Sequence, residues 1–272
     1  MRHPYFDVPT PTVIGHRGAS GELPENTLPA FERAVEQGAA ILESDVHVTR
    51  DGALVLIHDD VLERTTDGHG PVAERTLAEL RALDAGHRFA PSGDRGFPFR
   101  GRGFRIPTLE EAFERFPDLR FNLELKEHRV DLIEAAVAVV RRFGREDTVL
   151  LAAAEDPLMA DLRAHLARTG VRPAVGASAG DVLAFVRSAL DGTPAPPGPM
   201  ALQVPADFGG RPLVTARFVE HAHVHGLVVH VWTVNERAEM HRLLDLGVDG
   251  LMSDFPGRLA EVVAQRRRAS GA

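Results

Sequence analysis

The fold is decided by a stretch that places a histidine and an arginine on a glycine-rich loop: His16-Arg17-Gly18-Ala19-Ser20-Gly21-Glu22-Leu23-Pro24-Glu25-Asn26-Thr27. An apolar run at residues 13–15 precedes this loop and is typical of a buried strand. A helical pattern follows, with an apolar stripe on Leu28, Phe31 and Val35 and a stop at Gly38. The loop therefore lies at the carboxyl end of a strand, where a glycine-rich backbone can approach a ligand closely.

Strand-like and helix-like runs alternate along the rest of the chain. Further strands are predicted at residues 39–48, 120–125, 148–153, 172–175, 201–205, 227–232 and 250–253. Helices are predicted at residues 109–116, 129–143, 157–168, 180–190, 215–225, 235–246 and 257–268. This alternation predicts parallel strands, and eight strand–helix units predict an α/β fold, a (β/α)8 TIM barrel forming one domain over residues 1–272.

One long segment after the second strand interrupts this rhythm. Residues 60–107 are too many for an ordinary strand-to-helix loop, and they contain a helical piece at residues 76–83. Long insertions after barrel strands cover the mouth at which ligands bind. The segment is therefore predicted to be an insertion that covers the substrate, with a merely decorative excursion as the alternative.

The composition is that of an ordinary globular protein and limits the partners. The 272 residues are 44% hydrophobic and 26% charged, as in many α/β proteins. A net charge of −8 at pH 7 argues against a broad nucleic-acid surface. The chain contains no cysteine, which excludes disulfides, thiolate zinc sites and a cysteine nucleophile.

The sequence predicts no membrane span. No segment approaches the length of an apolar membrane span, and residues 1–11 contain no apolar signal core. A soluble cytoplasmic protein is expected, and its oligomeric state is not indicated.

Acidic residues cluster at the ends of two predicted strands. Glu43 and Asp45 are two residues apart and project from one face of their strand, and Glu124 and Lys126 repeat this spacing on the next barrel strand. Three converging carboxylates suit a hard divalent cation such as Mg²⁺ or Ca²⁺. The alternative is a buried ion-pair network in which Arg17 and Lys126 neutralise the acids.

A hairpin is predicted to bring a second histidine to these acids. Asp51-Gly52 favours a two-residue type I′ turn. That turn pairs residue 48 with 55 and residue 46 with 57, and it places His58 directly opposite Asp45.

The predicted mouth thus holds the groups that phosphodiester cleavage needs. His16 and His58 can act as general acid and base near neutral pH. Arg17 offers a fork for two phosphate oxygens, and Lys126 offers a point charge. A Schiff-base role does not suit a lysine beside Glu124, because that carboxylate keeps the lysine charged. Trp232, the single tryptophan, is predicted either to form an apolar wall of the pocket or to pack in the core.

These residues resemble the glycerophosphodiester phosphodiesterase family over residues 13–256. The motifs that carry the resemblance are His16-Arg17-Gly18, Pro24-Glu25-Asn26-Thr27, Glu43-x-Asp45, Thr49-Arg50-Asp51-Gly52, His58-Asp59, Arg64-Thr65-Thr66, Ile106-Pro107-Thr108-Leu109, Glu124-Leu125-Lys126, Val231-Trp232-Thr233-Val234-Asn235 and Gly247-Val248-Asp249-Gly250. Each motif alone is weak evidence, whereas the combination is specific.

The resemblance implies a barrel enzyme that hydrolyses glycerophosphodiesters to an alcohol and glycerol 3-phosphate with a bound divalent cation. It also implies roles for the candidate residues. These roles are the acid–base pair for His16 and His58, metal ligands for Glu43, Asp45 and Glu124, phosphate contacts for Arg17 and Lys126, and a pocket position for Trp232. Attack by the glycerol 2-hydroxyl, with a cyclic phosphate opened later by water, is the implied route.

One departure from the family concerns the pocket wall. The family often has a Ser-Phe pair after the fourth strand, whereas this chain has Ala152-Ala153-Ala154-Glu155. The preference for the leaving alcohol is therefore left open. The alternatives are a lysophospholipase D or sphingomyelinase D type of phospholipase, and a non-catalytic sensor of phosphate ligands on the same barrel. A sensor needs no acid–base pair, which favours the enzyme.

Overall fold

The computed structural model describes residues 2–91 and 96–269 and confirms the α/β barrel. The strands are β1 (Thr12–His16), β2 (Ile41–Val48), β3 (Leu54–Leu56), β4 (Arg120–Leu125), β5 (Val149–Ala152), β6 (Ala174–Val175), β7 (Ala201–Pro205), β8 (Asp207–Phe208), β9 (Arg211–Pro212), β10 (Val228–Trp232) and β11 (Gly250–Ser253). The helices are α1 (Leu28–Glu36), α2 (Leu77–Arg81), α3 (Leu109–Arg115), α4 (Val130–Arg142), α5 (Asp156–Thr169), α6 (Ala179–Asp191), α7 (Ala216–Val224), α8 (Arg237–Asp245) and α9 (Pro256–Ala269).

The barrel wall consists of parallel strands in the order β6-β5-β4-β2-β1-β11-β10-β7. Strands β6 and β7 approach each other at a backbone hydrogen bond of 2.9 Å, in which the Met200 N–H donates to the Val175 carbonyl. The barrel is therefore nearly closed. None of the helices in the described ranges is both long and apolar enough to cross a membrane.

The first strand–helix unit forms as the sequence predicts. Thr27 caps α1, because its side chain accepts a hydrogen bond from the Ala30 N–H, and Pro29 occupies the first turn, where its missing N–H costs nothing. Helix α1 buries Phe31 and Ala34 against the outer face of the barrel. The apolar stripe thus fixes the helix on the barrel and holds the preceding loop at the mouth.

The turn after β2 differs from the prediction. The Thr49 N–H donates to the Ala53 carbonyl at 2.9 Å, so the loop has three residues rather than two. Gly52 in this loop has a φ of 84°, which glycine adopts without strain. A three-residue loop with a left-handed glycine is the next most common hairpin connection.

The predicted register of this hairpin is therefore wrong by one residue. Val48 pairs with Leu54, and Val46 pairs with Leu56. The Ile57 N–H donates to the Asp45 carbonyl at 3.1 Å, so Ile57, not His58, lies opposite Asp45. Residues 54–57 are all apolar, so they provide no alternation from which the register could be read.

Residues 60–107 begin and end beside the short strand β3. Strand β3 pairs with β2 on one side, and on the other the Leu56 N–H donates to the Pro107 carbonyl at 3.0 Å. Between these ends, the described part of the segment packs around its own apolar cluster, which includes Leu62, Val72 and Leu80. The covering role of this segment and the single-domain organisation stay predictions.

The amino-terminal residues enter the barrel core, which the sequence analysis did not predict. A 3₁₀ turn at Pro4–Phe6 buries Tyr5 and Phe6 in the cluster that fills the barrel interior with Ile14, Ile41 and Val228. The end of the barrel opposite the mouth is thereby filled with aromatic side chains. A second missed feature is the small hairpin of β8 and β9, which carries the exposed Phe208.

Candidate active site

A cavity of about 230 Å³ opens among the carboxyl ends of the barrel strands. All eight predicted site residues line it, together with seven further residues. The predicted ones are His16, Arg17, Glu43, Asp45, His58, Glu124, Lys126 and Trp232, and the others are Asn122, Ala152, Ala153, Ala154, Ala177, Gln203 and Met252. The structure therefore brings the candidate residues together in one place.

The loop after β1 is folded tightly against α1. Gly18 has a φ of 86°, and a Cβ atom added there would lie 2.6 Å from the Ala30 carbonyl carbon. Arg17 has a positive φ of 53°, an uncommon conformation for a residue with a side chain. Its N–H donates to Glu43 Oε2 at 3.0 Å, which ties the loop to β2. The glycine is thus required for the path that presents His16 and Arg17.

Asp254, directly after β11, holds the ring of His16. His16 Nδ1 lies 2.7 Å from Asp254 Oδ1, and the same carboxylate accepts hydrogen bonds from Ser20 Oγ at 2.8 Å and Asn235 Nδ2 at 2.6 Å. Burial lowers the pKa of His16, but the hydrogen bond to Asp254 and the charge of Glu43 outweigh it, so the net direction is upward. The contact fixes the ring and leaves Nε2, 3.9 Å from Glu43, for chemistry.

His58 is held in the same way by its neighbour Asp59. His58 Nδ1 lies 2.6 Å from Asp59 Oδ1. Arg64 clamps Asp59 through Nε to Oδ2 at 2.6 Å and through Nη2 to Oδ1 at 3.1 Å. Burial opposes ionisation of Asp59, but Arg64 and His58 together lower its pKa to about 2. Asp59 therefore stays ionised and orients the imidazole, a role that the sequence analysis did not assign.

Arg64 also reaches the loop after β1. Its Nη1 and Nη2 each donate to Glu25 at 2.8 Å, and Glu25 accepts a further hydrogen bond from Arg17 Nη1 at 3.0 Å. A continuous chain of ion pairs thus runs from His58 to Arg17. It joins the loops that carry the two histidines.

A third histidine supports the backbone of His58. His47 is only 1% exposed, and its Nδ1 lies 2.6 Å from Glu127 Oε1. Its Nε2 lies 3.2 Å from the His58 carbonyl oxygen. His47 therefore joins the end of β2 to the loops after β3 and β4, and it does not line the cavity.

The predicted carboxylates form a compact cluster. One oxygen each of Glu43, Asp45 and Glu124 lies within 4.8 Å of the others. Glu43 and Asp45 are buried, at 5% and 1% exposure. Burial first, and then the charge of Asp45, raise the pKa of Glu43 to about 8. Buried acids at this spacing need positive charge, and oxygen ligands are those that Mg²⁺ and Ca²⁺ prefer, so the cluster fits a divalent cation.

Two cations of the chain already face these acids. Lys126 Nζ lies 3.4 Å from Asp45 Oδ1 and 3.2 Å from Glu124 Oε1. Arg17 Nε lies 3.3 Å from Asp45 Oδ2. Burial alone would lower the pKa of both cations, but the carboxylates raise it, so both stay charged. The ion-pair network of the sequence analysis therefore shares its carboxylates with the cluster that fits a divalent cation.

The wall near the mouth is partly aromatic and otherwise small. Trp232 is 42% exposed and lines the cavity, so it is a pocket residue rather than a core residue. On the other side, Ala152, Ala153 and Ala154 leave the wall without large side chains. The cavity thus has an open, weakly apolar entrance above its charged centre.

Four supporting residues were missed by the sequence analysis, although three lie in motifs that it quoted. Glu25, Asp59 and Arg64 are in those motifs. Two acidic residues and one arginine there are the signal from which an arginine bridging two carboxylates could have been inferred. Asp254 directly follows the last barrel strand, a position at which functional residues concentrate in this fold.

Comparison with known proteins identifies the family. A family model described as the glycerophosphoryl diester phosphodiesterase family matches residues 16–258. A glycerophosphodiester phosphodiesterase of Caldanaerobacter subterraneus subsp. tengcongensis is 34% identical, over 92% of this chain and 97% of that protein. The human lysophospholipase D GDPD1 is 29% identical, over 91% and 84%. An Oleispira antarctica phosphodiesterase solved with the product sn-glycerol-3-phosphate is 29% identical, with a TM-score of 0.73 over 94% of this chain and 97% of that one. The chain belongs to the glycerophosphoryl diester phosphodiesterase family and is a phosphoric diester hydrolase.

Proposed function

We propose that this protein hydrolyses glycerophosphodiesters to an alcohol and glycerol 3-phosphate, with a divalent cation at Glu43, Asp45 and Glu124. One observation carries the proposal. Two histidines, each held at Nδ1 by an aspartate, line the same cavity as the three clustered carboxylates. Binding alone would not need two oriented imidazoles, whereas cleavage of a phosphodiester needs a proton acceptor and a proton donor.

The cations of the chain bind and orient the phosphate. Arg17 offers a planar fork and Lys126 a point charge, and both line the cavity. Negative charge on the phosphoryl oxygens grows as the bond to the leaving alcohol breaks. Fixed cations stabilise this charge more than they stabilise the ground state.

The two histidines move the protons. One removes the proton from the attacking hydroxyl, and the other donates a proton to the leaving alcohol oxygen as its bond to phosphorus breaks. The attacking hydroxyl is the glycerol 2-hydroxyl in the route that the family resemblance implies, and water opens the resulting cyclic phosphate. His16 and His58 suit both steps because hydrogen bonds at Nδ1 orient their rings.

A divalent cation, when bound, would polarise a phosphoryl oxygen and neutralise charge among the carboxylates. Mg²⁺ and Ca²⁺ both suit an all-oxygen donor set.

A second candidate is hydrolysis of lysophospholipids, the activity named for the human relative. Two exposed aromatic residues favour it. Trp232, 42% exposed, pairs in the sheet with Pro205, and the hairpin that directly follows Pro205 carries Phe208, 79% exposed. Apolar surface beside the mouth could hold an acyl chain. Small water-soluble diesters stay the first proposal because the long segment at residues 60–107, which is predicted to cover the substrate, favours them.

The decisive experiment is an assay for glycerol 3-phosphate with glycerophosphocholine as the substrate, in the presence of Mg²⁺, Ca²⁺ or a chelator. We expect release of glycerol 3-phosphate that stops on chelation and returns when metal is added. Lysophosphatidylcholine in the same assay tests the second candidate. The variants H16A and H58A should each lose about 10³-fold or more in kcat. Turnover that survives in both variants would refute the assignment, and tight binding without turnover would favour the sensor.

A further inference from the structure

We propose that Asn122 and Gln203 form a hydroxyl-binding floor in the cavity and hold the terminal hydroxyl of the glycerol unit. The inference rests on the proposed function, because it names the residues that would hold one end of that substrate. Asn122 lies on β4 and Gln203 on β7, and both side chains line the cavity together with the acidic cluster.

Both amides carry a buried polar atom that lacks a hydrogen-bond partner. Among the described residues, neither Asn122 Oδ1 nor Gln203 Nε2 has a protein partner. Asn122 is 5% exposed, so its amide faces the cavity interior rather than bulk solvent. Buried polar groups in folded proteins are almost always paired, and an exception in a cavity indicates a ligand or ordered water.

The wall beside Gln203 is shaped to admit its amide. A Cβ atom added to Gly176 would lie 2.6 Å from Gln203 Oε1 and 3.0 Å from the Ala152 Cβ atom. Gln203 therefore extends over Gly176 towards Ala152, and any side chain at position 176 would displace it. The small residues at positions 152 and 176 therefore leave room in the cavity for the Gln203 amide.

The depth of the floor matches the length of a glycerol phosphate. Asn122 precedes Glu124 by two residues on β4, which is about 6.6 Å along the strand and, at a strand tilt of about 36°, about 5 Å deeper in the barrel. The terminal hydroxyl is three carbons away from the phosphorus, a comparable reach. The leaving alcohol differs among substrates and must depart, so it suits the open side near Trp232. The glycerol unit, common to all of them, suits the closed end.

A hydroxyl can satisfy either amide, because it can donate a hydrogen bond to Asn122 Oδ1 and can accept one from Gln203 Nε2. An ammonium group only donates, and a methyl group does neither. A site built for a hydroxyl discriminates strongly against an analogue without it, because the amides are then left unpaired.

The test compares two substrates and two variants of the metal-loaded protein. The substrates are glycerophosphocholine and its propane-1,2-diol analogue, which keeps the hydroxyl next to the phosphate ester and lacks the terminal one. We expect the wild type to prefer the glycerol substrate by about tenfold or more in kcat/KM. In Q203M, which keeps the length of the side chain and removes its hydrogen-bonding groups, the ratio should fall to about two or less. Q37M makes the same replacement at a glutamine that does not line the cavity, and it should keep the wild-type ratio.

A binding measurement separates this inference from the proposed function. Calorimetry with glycerol 3-phosphate and propane-1,2-diol 1-phosphate should show the same preference in the wild type and its loss in Q203M. A binding preference without turnover would support hydroxyl binding by the two amides and refute the proposed function. Turnover with no preference, or a preference that persists in Q203M, would refute hydroxyl binding by the amides and leave only ordered water as their partner.

Discussion

Replacement of Arg64 by lysine should lower kcat although the hydrogen-bond partners of Arg64 among the described residues, Glu25 and Asp59, lie outside the barrel strands. The arginine donates to both Glu25 and Asp59, and these carboxylates hold Arg17 and His58. Lysine keeps the charge but cannot make two parallel pairs of hydrogen bonds, because it lacks the planar fork. In R64K, Asp59 therefore loses its fixed position, and His58 loses its orientation with it.

The magnitude follows from the geometry. Arg64 makes four hydrogen bonds of 2.6 to 3.1 Å, but its side chain is 45% exposed, so solvent screens the ion pairs. We therefore expect a loss of only about 1 kcal/mol in the free energy of unfolding. The catalytic effect should be larger, because a displacement of about 1 Å at an acid or base can cost 10²-fold. We expect kcat to fall by about 10- to 100-fold while KM changes little.

The assay measures kcat, KM and urea unfolding for R64K, D59N and the double variant. Since both residues act through His58, the double variant should lose little more activity than the worse single variant. Arg242 is a matched control, because its side chain is 44% exposed and makes a two-pronged contact with Glu239 far from the cavity. R242K should keep wild-type kcat. Unchanged kcat in R64K, or fully multiplicative losses with D59N, would refute the reasoning.

Three further predictions concern positioning, backbone and pH. The variant D254N should lower kcat by about 10²-fold with little change in KM, because His16 loses the carboxylate that fixes its ring, and steady-state kinetics measure this. The variant G18A should lose about 3 kcal/mol of unfolding free energy in urea, because its Cβ atom would overlap the Ala30 backbone at a φ of 86°. Burial lowers the pKa of His230 from 6.5 to about 4, so the unfolded chain binds the extra proton. The contribution of His230 to stability should therefore be complete above pH 6.5 and fall by about 3 kcal/mol towards pH 4, and urea titrations should show that H230F removes this part of the pH dependence.

Most of the fold could be predicted because the barrel strands read as short apolar runs between turn signals. The bounds of β4, β7 and β11 agree with the predicted ranges, and helices differ by one or two residues at their ends. The register of the β2–β3 hairpin could not be read, because residues 54–57 are apolar on both faces. The 3₁₀ turn at Pro4–Phe6 escaped prediction because two aromatic residues in a short polar stretch have no periodicity.

The residues of the candidate site could be predicted where they lie on strands that follow each other in the barrel. A residue that is brought in by the pairing of the first strand with the last could not be predicted. Glu43, Asp45 and Glu124 share the carboxyl ends of β2 and β4, so their spacing in the sequence already places them together. Asp254 is separated from His16 by 238 residues. Only the pairing of β1 with β11 makes them neighbours, and no local pattern reports that pairing.

The two histidines depend on different parts of the fold, and this separation explains why single changes should reduce activity without abolishing it. His16 is oriented by Asp254, whose other described partners, Ser20 and Asn235, are uncharged. His58 is oriented by Asp59, whose described partner besides the imidazole is the Arg64 guanidinium. The two supports share no side chain. Loss of one therefore leaves the other imidazole, both phosphate-facing cations and the acidic cluster in place, and each oriented group contributes only part of the total rate enhancement.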